Sequence, residues 1–302
     1  MHWEKKWFQF AILMVLAFIW GSSFILIKVG LKSFSNDQAA AIRLLFASTV
    51  LLPLAYRNRR HFKKKDIKSL LIAAFIGSFI PAFLFTKAQT RIDSALAGIL
   101  NSLTPVFTLI VGLIWHQTKI KSRQIYGLLL GLIGAVGLIV SGKNLTELSI
   151  NSYALFIVAA TMCYGTNVNT IKSYLTHLNG IQITSFSFMF IFPAALAYLL
   201  TTDFTPVAEH PDWPLHLAAL ATLGIVGTAF AMLLMNTMIR YTSAIFAASV
   251  TYIIPIFAIL WGIVAEETIT AGDILFMAVI LLGVYLINQS KVSGRQLRKK
   301  SL

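Results

Sequence analysis

The chain is written as long apolar runs parted by short polar or charged breaks. A membrane-spanning helix needs about 20 mostly apolar residues. Ten runs meet that length to within a few residues: 8–30, 39–56, 69–88, 95–116, 125–141, 153–172, 183–201, 215–238, 244–264 and 273–289. The pattern therefore predicts an all-α integral membrane fold of ten spans. The breaks at "TKAQTRIDSA", between the third and fourth runs, and "NTMIRYTSA", between the eighth and ninth, are very short and imply tight helical hairpins. The first run follows the basic opening "MHWEKK" in the manner of a signal peptide. It continues through Ile27, however, and no small-x-small cleavage site ends it, so it reads as the first span.

The polar interruptions repeat. "WGSSFILIK" (20–28) and "YGTNVNTIK" (164–172) share an aromatic-Gly opening, a small-polar patch and a closing Ile-Lys, 144 residues apart. Gln38 and Gln182 keep that offset. "PVFTLIVGLI" (105–114) and "PIFAILWGIV" (255–264) share Pro, Phe and Gly at an offset of 150, the six extra residues coming from the longer loop "DFTPVAEHPDWP". The chain thus reads as two copies of a five-helix unit, 1–142 and 151–290, followed by a basic tail, 291–302. An odd number of spans per copy makes the second copy enter the membrane from the opposite side. That predicts an inverted repeat, a layout found in many secondary transporters.

Composition and charge agree with this picture. Hydrophobic residues make up 57% of 302 and charged residues only 12%, about half of what a water-facing surface carries. The net charge of +14 does not point to nucleic acid, because the charges are sorted by loop. With the N-terminus in the cytoplasm, 19 of the 25 Lys and Arg fall on the inner side, while nine of the eleven acids fall outside. This is the positive-inside rule, and it predicts both termini and the cluster 57–68 in the cytoplasm. A single cysteine, Cys163, excludes an internal disulfide and a Cys-rich metal site.

The residues also resemble a known family. "WGSSF" in the first span, "IRLLFASTVLL" in the second, "NSLTPVFTLIVGL" in the fourth and the closing "PIFAILWGIVAEETITAGDILFMAVILLGVYLI" look like tandem EamA domains of the drug/metabolite transporter superfamily. The resemblance covers nearly the whole chain. It implies ten helices, no nucleotide hydrolysis, and export of small metabolites or drugs. It also implies a central cavity lined mainly by helices one, three, four, six, eight and nine. One departure stands out. The family often carries Gly-Glu after the fourth and ninth spans, whereas here the first copy has His116-Gln117 and the second Glu266-Glu267. A coupling role for a first-copy glutamate loses support.

Candidate site residues are the polar groups inside spans, since such groups face a cavity or a neighbouring helix. Trp20 and Ser23, with Ser22, lie in helix one; Tyr164, Asn167 and Asn169 are their counterparts in helix six. Gln89 near the end of helix three, Asn101 in helix four, Asn236 in helix eight and Tyr252 in helix nine complete the set. Each either lines a polar cavity or packs helices. Packing is the expectation for the serines and for Gly21 and Gly165, which allow close approach. Arg43 sits about one turn into helix two. It either holds a substrate carboxylate near the outer mouth, favouring anionic or zwitterionic solutes, or ties helix ends through backbone carbonyls. Pro105 and Pro255, one per copy, are expected as mid-helix kinks that shape or gate the cavity.

No catalytic constellation, metal-ligand spacing or phosphate loop is visible, and no carboxylate sits in the middle of a span. The reading is a secondary transporter, not an enzyme, that exports small polar metabolites, such as amino acids or related compounds, or drugs, by alternating access. It needs no cofactor. Its partners are a small-molecule substrate and the lipid bilayer, not nucleic acid, and it acts as a monomer or homodimer in the bacterial inner (plasma) membrane. The alternatives are an importer or facilitated exchanger, and a polytopic enzyme acting on lipid, which lacks the clustered His, Asp or Ser it needs.

Overall fold

Once water is removed from around a backbone, every N–H and C=O must be satisfied within the segment, and a helix does this. A computed structural model describes residues 5–116, 122–141, 152–242 and 249–288 of the chain, and the regular structure among them is entirely helical. We label the longer helices α1 (Lys6–Gly30), α2 (Asn36–Asn58), α3 (Lys64–Ala88), α4 (Ser94–Trp115), α5 (Ser122–Ser141), α6 (Ala154–Tyr174), α7 (Gly180–Leu200), α8 (Trp213–Ile239), α9 (Ile254–Val264) and α10 (Ala271–Asn288). Seven of them, α1 to α4 and α6 to α8, are long and apolar enough to cross a membrane. The apolar stretches Ile254–Val264 and Ala271–Gly283 are shorter. The chain is a multi-pass membrane protein. The expected tail, 291–302, lies outside the described residues.

Local chemistry sets the helix starts. Ser35 caps α2: its Oγ accepts from the Gln38 N–H at 3.2 Å, while the Gln38 side chain accepts from the Ser35 N–H at 3.0 Å. Asn179 and Gln182 repeat this at α7, at 2.8 and 2.9 Å. The glutamine repeated at an offset of 144 is therefore a helix-capping device. Gln38 also reaches across the fold to donate to the Asp203 carbonyl at 2.8 Å.

Two helices are irregular in the same place. Ile72–Phe79 of α3 and Leu223–Phe230 of α8 each widen into a π-helical segment. Such segments concentrate at functional sites. Here they place Gly77 and Gly227, equivalent under the offset of 150, against α6 and α1. A Cβ on Gly77 would meet the Asn167 side chain at 2.5 Å, and one on Gly227 would meet Ser23 Oγ at 3.0 Å. Asn167 and Ser23 are themselves equivalent under the offset of 144.

Helix four is interrupted. After Ser94–Asn101 the chain passes through Ser102 and Leu103 before a second helix, Thr104–His116, resumes. In the other copy, a 3₁₀ turn at Ser249–Tyr252 precedes α9. Pro105 and Pro255 thus do not kink continuous helices, as the sequence suggested. Both stand in the first turn of a helix that restarts, where the missing N–H has no partner to lose.

The packing partners correspond between the copies. α1 lies against α8 and α9, and α6 against α3 and α4. α2 contacts α8, and α7 contacts α3; α2 with α7 and α5 with α10 form pairs of equivalent helices. Close approach is enforced by glycine at two equivalent points. A Cβ on Gly21 would lie 2.4 Å from Phe257 Cβ, and one on Gly165 would lie 2.7–3.0 Å from the backbone of Phe107 and Thr108.

Contacts near the helix ends link segments that the charge pattern assigns to one face. Lys28 pairs with Asp93 at 3.4 Å, and Ser33 Oγ contacts His216 Nδ1 at 2.6 Å. Glu267 accepts from the Ser94 and Ala95 N–H groups at 2.9 and 3.1 Å, capping α4. At the opposite ends of the helices, His177 Nε2 meets buried Asp66 at 2.9 Å. Lys172 Nζ donates there to the Ile239 and Thr242 carbonyls at 2.7 and 3.2 Å.

Candidate functional site

The irregular segments and the interrupted helix surround one central cavity of about 140 Å³. At about 10–15 Å³ per water position, it has room for roughly ten water-sized groups. Residues of α1, α2, α3, α4, α6, α8 and α9, with the turn before α9, line it. Both copies contribute.

One wall is aromatic. Phe85 of α3 stacks on Tyr164 of α6 with centroids 6.0 Å apart, and Phe24 of α1 leans on Phe85 at 5.9 Å. Trp20 adds its ring and donates Nε1–H to the Gly227 carbonyl at 3.0 Å, a carbonyl of the widened part of α8. The wall is thereby fixed to the irregular backbone.

The polar side is built from amides and one guanidinium. Asn236 donates to Thr184 Oγ1 at 2.9 Å, which orients it. Asn101 and Asn167 line the cavity while only 8% and 6% exposed, and the Oδ1 of each has no partner. Leaving such an atom unmade costs about 1–3 kcal/mol. Arg43 enters from α2 and donates Nη2–H to Thr228 Oγ1 at 3.1 Å, while its buried Nε has no partner. Thr228 donates in turn to the Leu223 carbonyl at 3.0 Å, five residues back, so the arginine is tied to the π-helical stretch of α8.

The structure sorts the sequence candidates. Trp20, Ser23, Arg43, Asn101, Tyr164, Asn167 and Asn236 meet around this cavity. Ser23 also donates to the Ile19 carbonyl one turn back, at 2.9 Å. Asn169 does not line it: its Nδ2 bridges the Thr108 and Gly165 carbonyls at 2.9 and 2.8 Å, binding α4 to α6. Gln89 is likewise a tie, donating to the Phe24 carbonyl at 3.0 Å and reaching Ser94 Oγ at 3.4 Å. The Tyr252 side chain lies outside the described residues. Sequence reading missed Thr228, Ser78, Gly77 and Gly227, which line the cavity. The signal was present in the repeat offset of 150, which pairs Ser78 with Thr228 and Gly77 with Gly227.

The arrangement resembles known proteins along its whole length. The model of the EamA-like transporter family matches residues 7–140 and again 151–289. The chain belongs to the EamA-like transporter family. Its tandem organisation is that of the two matches. An uncharacterized transporter of Archaeoglobus fulgidus is 24% identical over 285 residues, covering 94% of this chain and 98% of its own. The uncharacterized inner membrane transporter YedA of Escherichia coli K12 is 26% identical over 291 residues, covering 93% of this chain and 91% of its own. A solved crystal structure 16% identical superposes with a TM-score of 0.62 over 93% of this chain and 96% of that one, a likeness of fold alone.

Proposed function

We propose that this EamA-family transporter is a ten-span secondary carrier that exports a small polar solute across the bacterial inner membrane by alternating access. Its two five-helix copies, 1–142 and 151–290, are related by a pseudo-two-fold axis in the membrane plane. Family membership, the aromatic-and-amide cavity and the correspondence of helix contacts support this reading. The observation that carries it is the cavity itself, which draws polar groups from both copies to one central point and leaves the Oδ1 of Asn101 and of Asn167 without a partner. Buried polar atoms in folded proteins are almost always paired; of the six unpartnered ones among the described residues, three (Arg43 Nε and the two asparagine oxygens) belong to residues of this cavity, the others being Ser48 Oγ, Gln89 Oε1 and Ser187 Oγ.

In this mechanism Trp20, Phe85 and Tyr164 supply apolar contact and Asn101, Asn167 and Asn236 orient the solute, the usual division of labour in a small-molecule site. The copies rock about the cavity and expose it to each side in turn. Charge sorting orients the chain with both termini and residues 57–68 in the cytoplasm.

The test is flux through the full chain in proteoliposomes, with Trp20→Ala and Asn167→Ala at matched reconstitution. Each variant is expected to lose tenfold or more of the flux of a transported solute. Normal flux from both would reduce these side chains to helix packing and end the reading of the cavity as the transport site.

A further inference from the structure

We infer that the transported solute carries a single carboxylate on a small apolar body, and that Arg43 is its binding residue. The inference rests on the proposed transport through the central cavity and adds the chemical class of the cargo.

Arg43 lies seven residues after the start of α2 at Asn36, roughly 10 Å along the helix axis. The guanidinium does not bond the start of its own helix; it lines the central cavity. A guanidinium has five N–H donors and no acceptor. Among the described residues a single contact engages them, Nη2 to the neutral hydroxyl of Thr228. The buried Nε has no partner. The alternative role, bonding backbone carbonyls at helix ends, has no contact to support it. The described ion pairs, Lys28–Asp93 and His177–Asp66, lie at the ends of the helices, and none of the described residues lining the cavity is Asp or Glu. A guanidinium with unused donors, facing a cavity whose described lining carries no acid, calls for an anion, and the planar fork fits a carboxylate through two parallel hydrogen bonds.

The same wall sets the rest of the molecule. Among the described lining residues there is one cation and no second, so a dicarboxylate would bring an unmatched charge. The position equivalent to Arg43 in the other copy is Ser187, a buried serine outside the cavity. Phe24, Phe85, Met232 and Met235 make the remaining surface largely apolar. The volume of about 140 Å³ limits that body to a short or single-ring group.

The experiment pairs probes that differ only at the carboxylate. Purified full-length protein is tested by thermal stabilisation and by proteoliposome uptake with 3-phenylpropanoate against its amide, 4-methylpentanoate against its amide, and succinate. Wild type is expected to bind and carry the two monocarboxylates at least tenfold better than their amides, and to ignore succinate. Arg43→Gln is expected to bind the monocarboxylates about tenfold to a hundredfold more weakly, the span of a charge-assisted hydrogen bond. Arg43→Lys is expected to keep the preference at reduced affinity. Equal handling of acids and amides by wild type, or uptake of neutral or cationic solutes alone, overturns the carboxylate assignment and leaves transport standing. Binding of monocarboxylates without uptake of any probe upholds the Arg43 site and ends the transport reading. Neither binding nor uptake of any probe ends both. Wild-type affinity for the monocarboxylates in Arg43→Gln overturns the assignment to Arg43; where a variant fails to fold, Arg43→Lys tests the residue and the wild-type comparison still decides the carboxylate.

Discussion

At the scale of single residues, the fold depends on glycines that bring backbones into contact. Gly165 is the clearest case, because the atoms that an added methyl would meet belong to the main chain of Phe107 and Thr108 at 2.7–3.0 Å and cannot rotate away. Gly112, on the facing helix, has only the tip of Asn169 nearby, at 3.1 Å. Gly165→Ala is therefore expected to destabilise the protein by about 1–3 kcal/mol, seen as a lower melting temperature in detergent. Gly112→Ala is expected to leave it nearly unchanged. Equal effects from the two would mean that α4 and α6 are not held at this distance. Asn169, two residues from Asn167, belongs to the same contact: it binds the α4 and α6 backbones and not the cavity. Two residues in a helix point roughly 200° apart, so the two asparagines were bound to part company. The sequence could not say which faced the cavity, since α6 carries no clear apolar stripe to orient it.

At the scale of elements, the two copies use equivalent positions for different chemistry. Ser33 and His177 differ by 144, and Asp66 and His216 by 150, the two offsets of the repeat. Ser33 meets His216 at one end of the molecule, and His177 meets Asp66 at the other. Each contact joins the loop after the first helix of one copy to the start of the third helix of the other. In the proposed alternating-access mechanism, opening one end of the cavity would break the contact at that end. With a Ser23→Cys reporter in a Cys163→Ser background, Asp66→Asn is expected to raise labelling from the face bearing 57–68. Ser33→Ala is expected to raise it from the opposite face. Increases on the same face, or none, would show that these contacts only fasten loops. Most runs of apolar residues matched the helices to within a few positions, because lipid imposes length and composition on them; the ninth, 244–264, did not, since its described helix is only Ile254–Val264, after a turn at Ser249–Tyr252. The widened segments and the break in α4 left no such trace. "IAAFIGSF" and "LGIVGTAF" are apolar but for one hydroxyl each, Ser78 and Thr228, so a change from 3.6 residues per turn leaves the hydrophobic pattern nearly unaltered. The prolines were visible, but their place was not: a proline one turn after a break and a proline in a kink look alike in sequence. Arg43 was visible as an oddity, and only the fold brought it into the cavity beside α8.

At the scale of the whole molecule, charge and contact carry the same message independently. Lys28 with Asp93, Ser33 with His216 and Glu267 with the start of α4 join segments assigned to the outer face. His177 with Asp66, and Lys172 with the end of α8, join segments assigned to the inner face. No contact among these five crosses the assignment; several of their residues were counted in the charge sorting, but which residue meets which was not. The basic cluster at 57–68 and the acidic loop between α7 and α8 should then lie on opposite sides of the bilayer. Arg60 and Glu209 are exposed and well placed to report this. In a Cys163→Ser background, Arg60→Cys is expected to react with an impermeant thiol reagent only after the inner face is opened, and Glu209→Cys in intact cells. The cost of moving several arginines and lysines across an apolar core, about 2.5–3.5 kcal/mol for each at the centre, makes a mixed orientation improbable on energetic grounds. Labelling of both cysteines from the same side would defeat the ten-span topology and, with it, the inverted pairing of the two copies about the cavity.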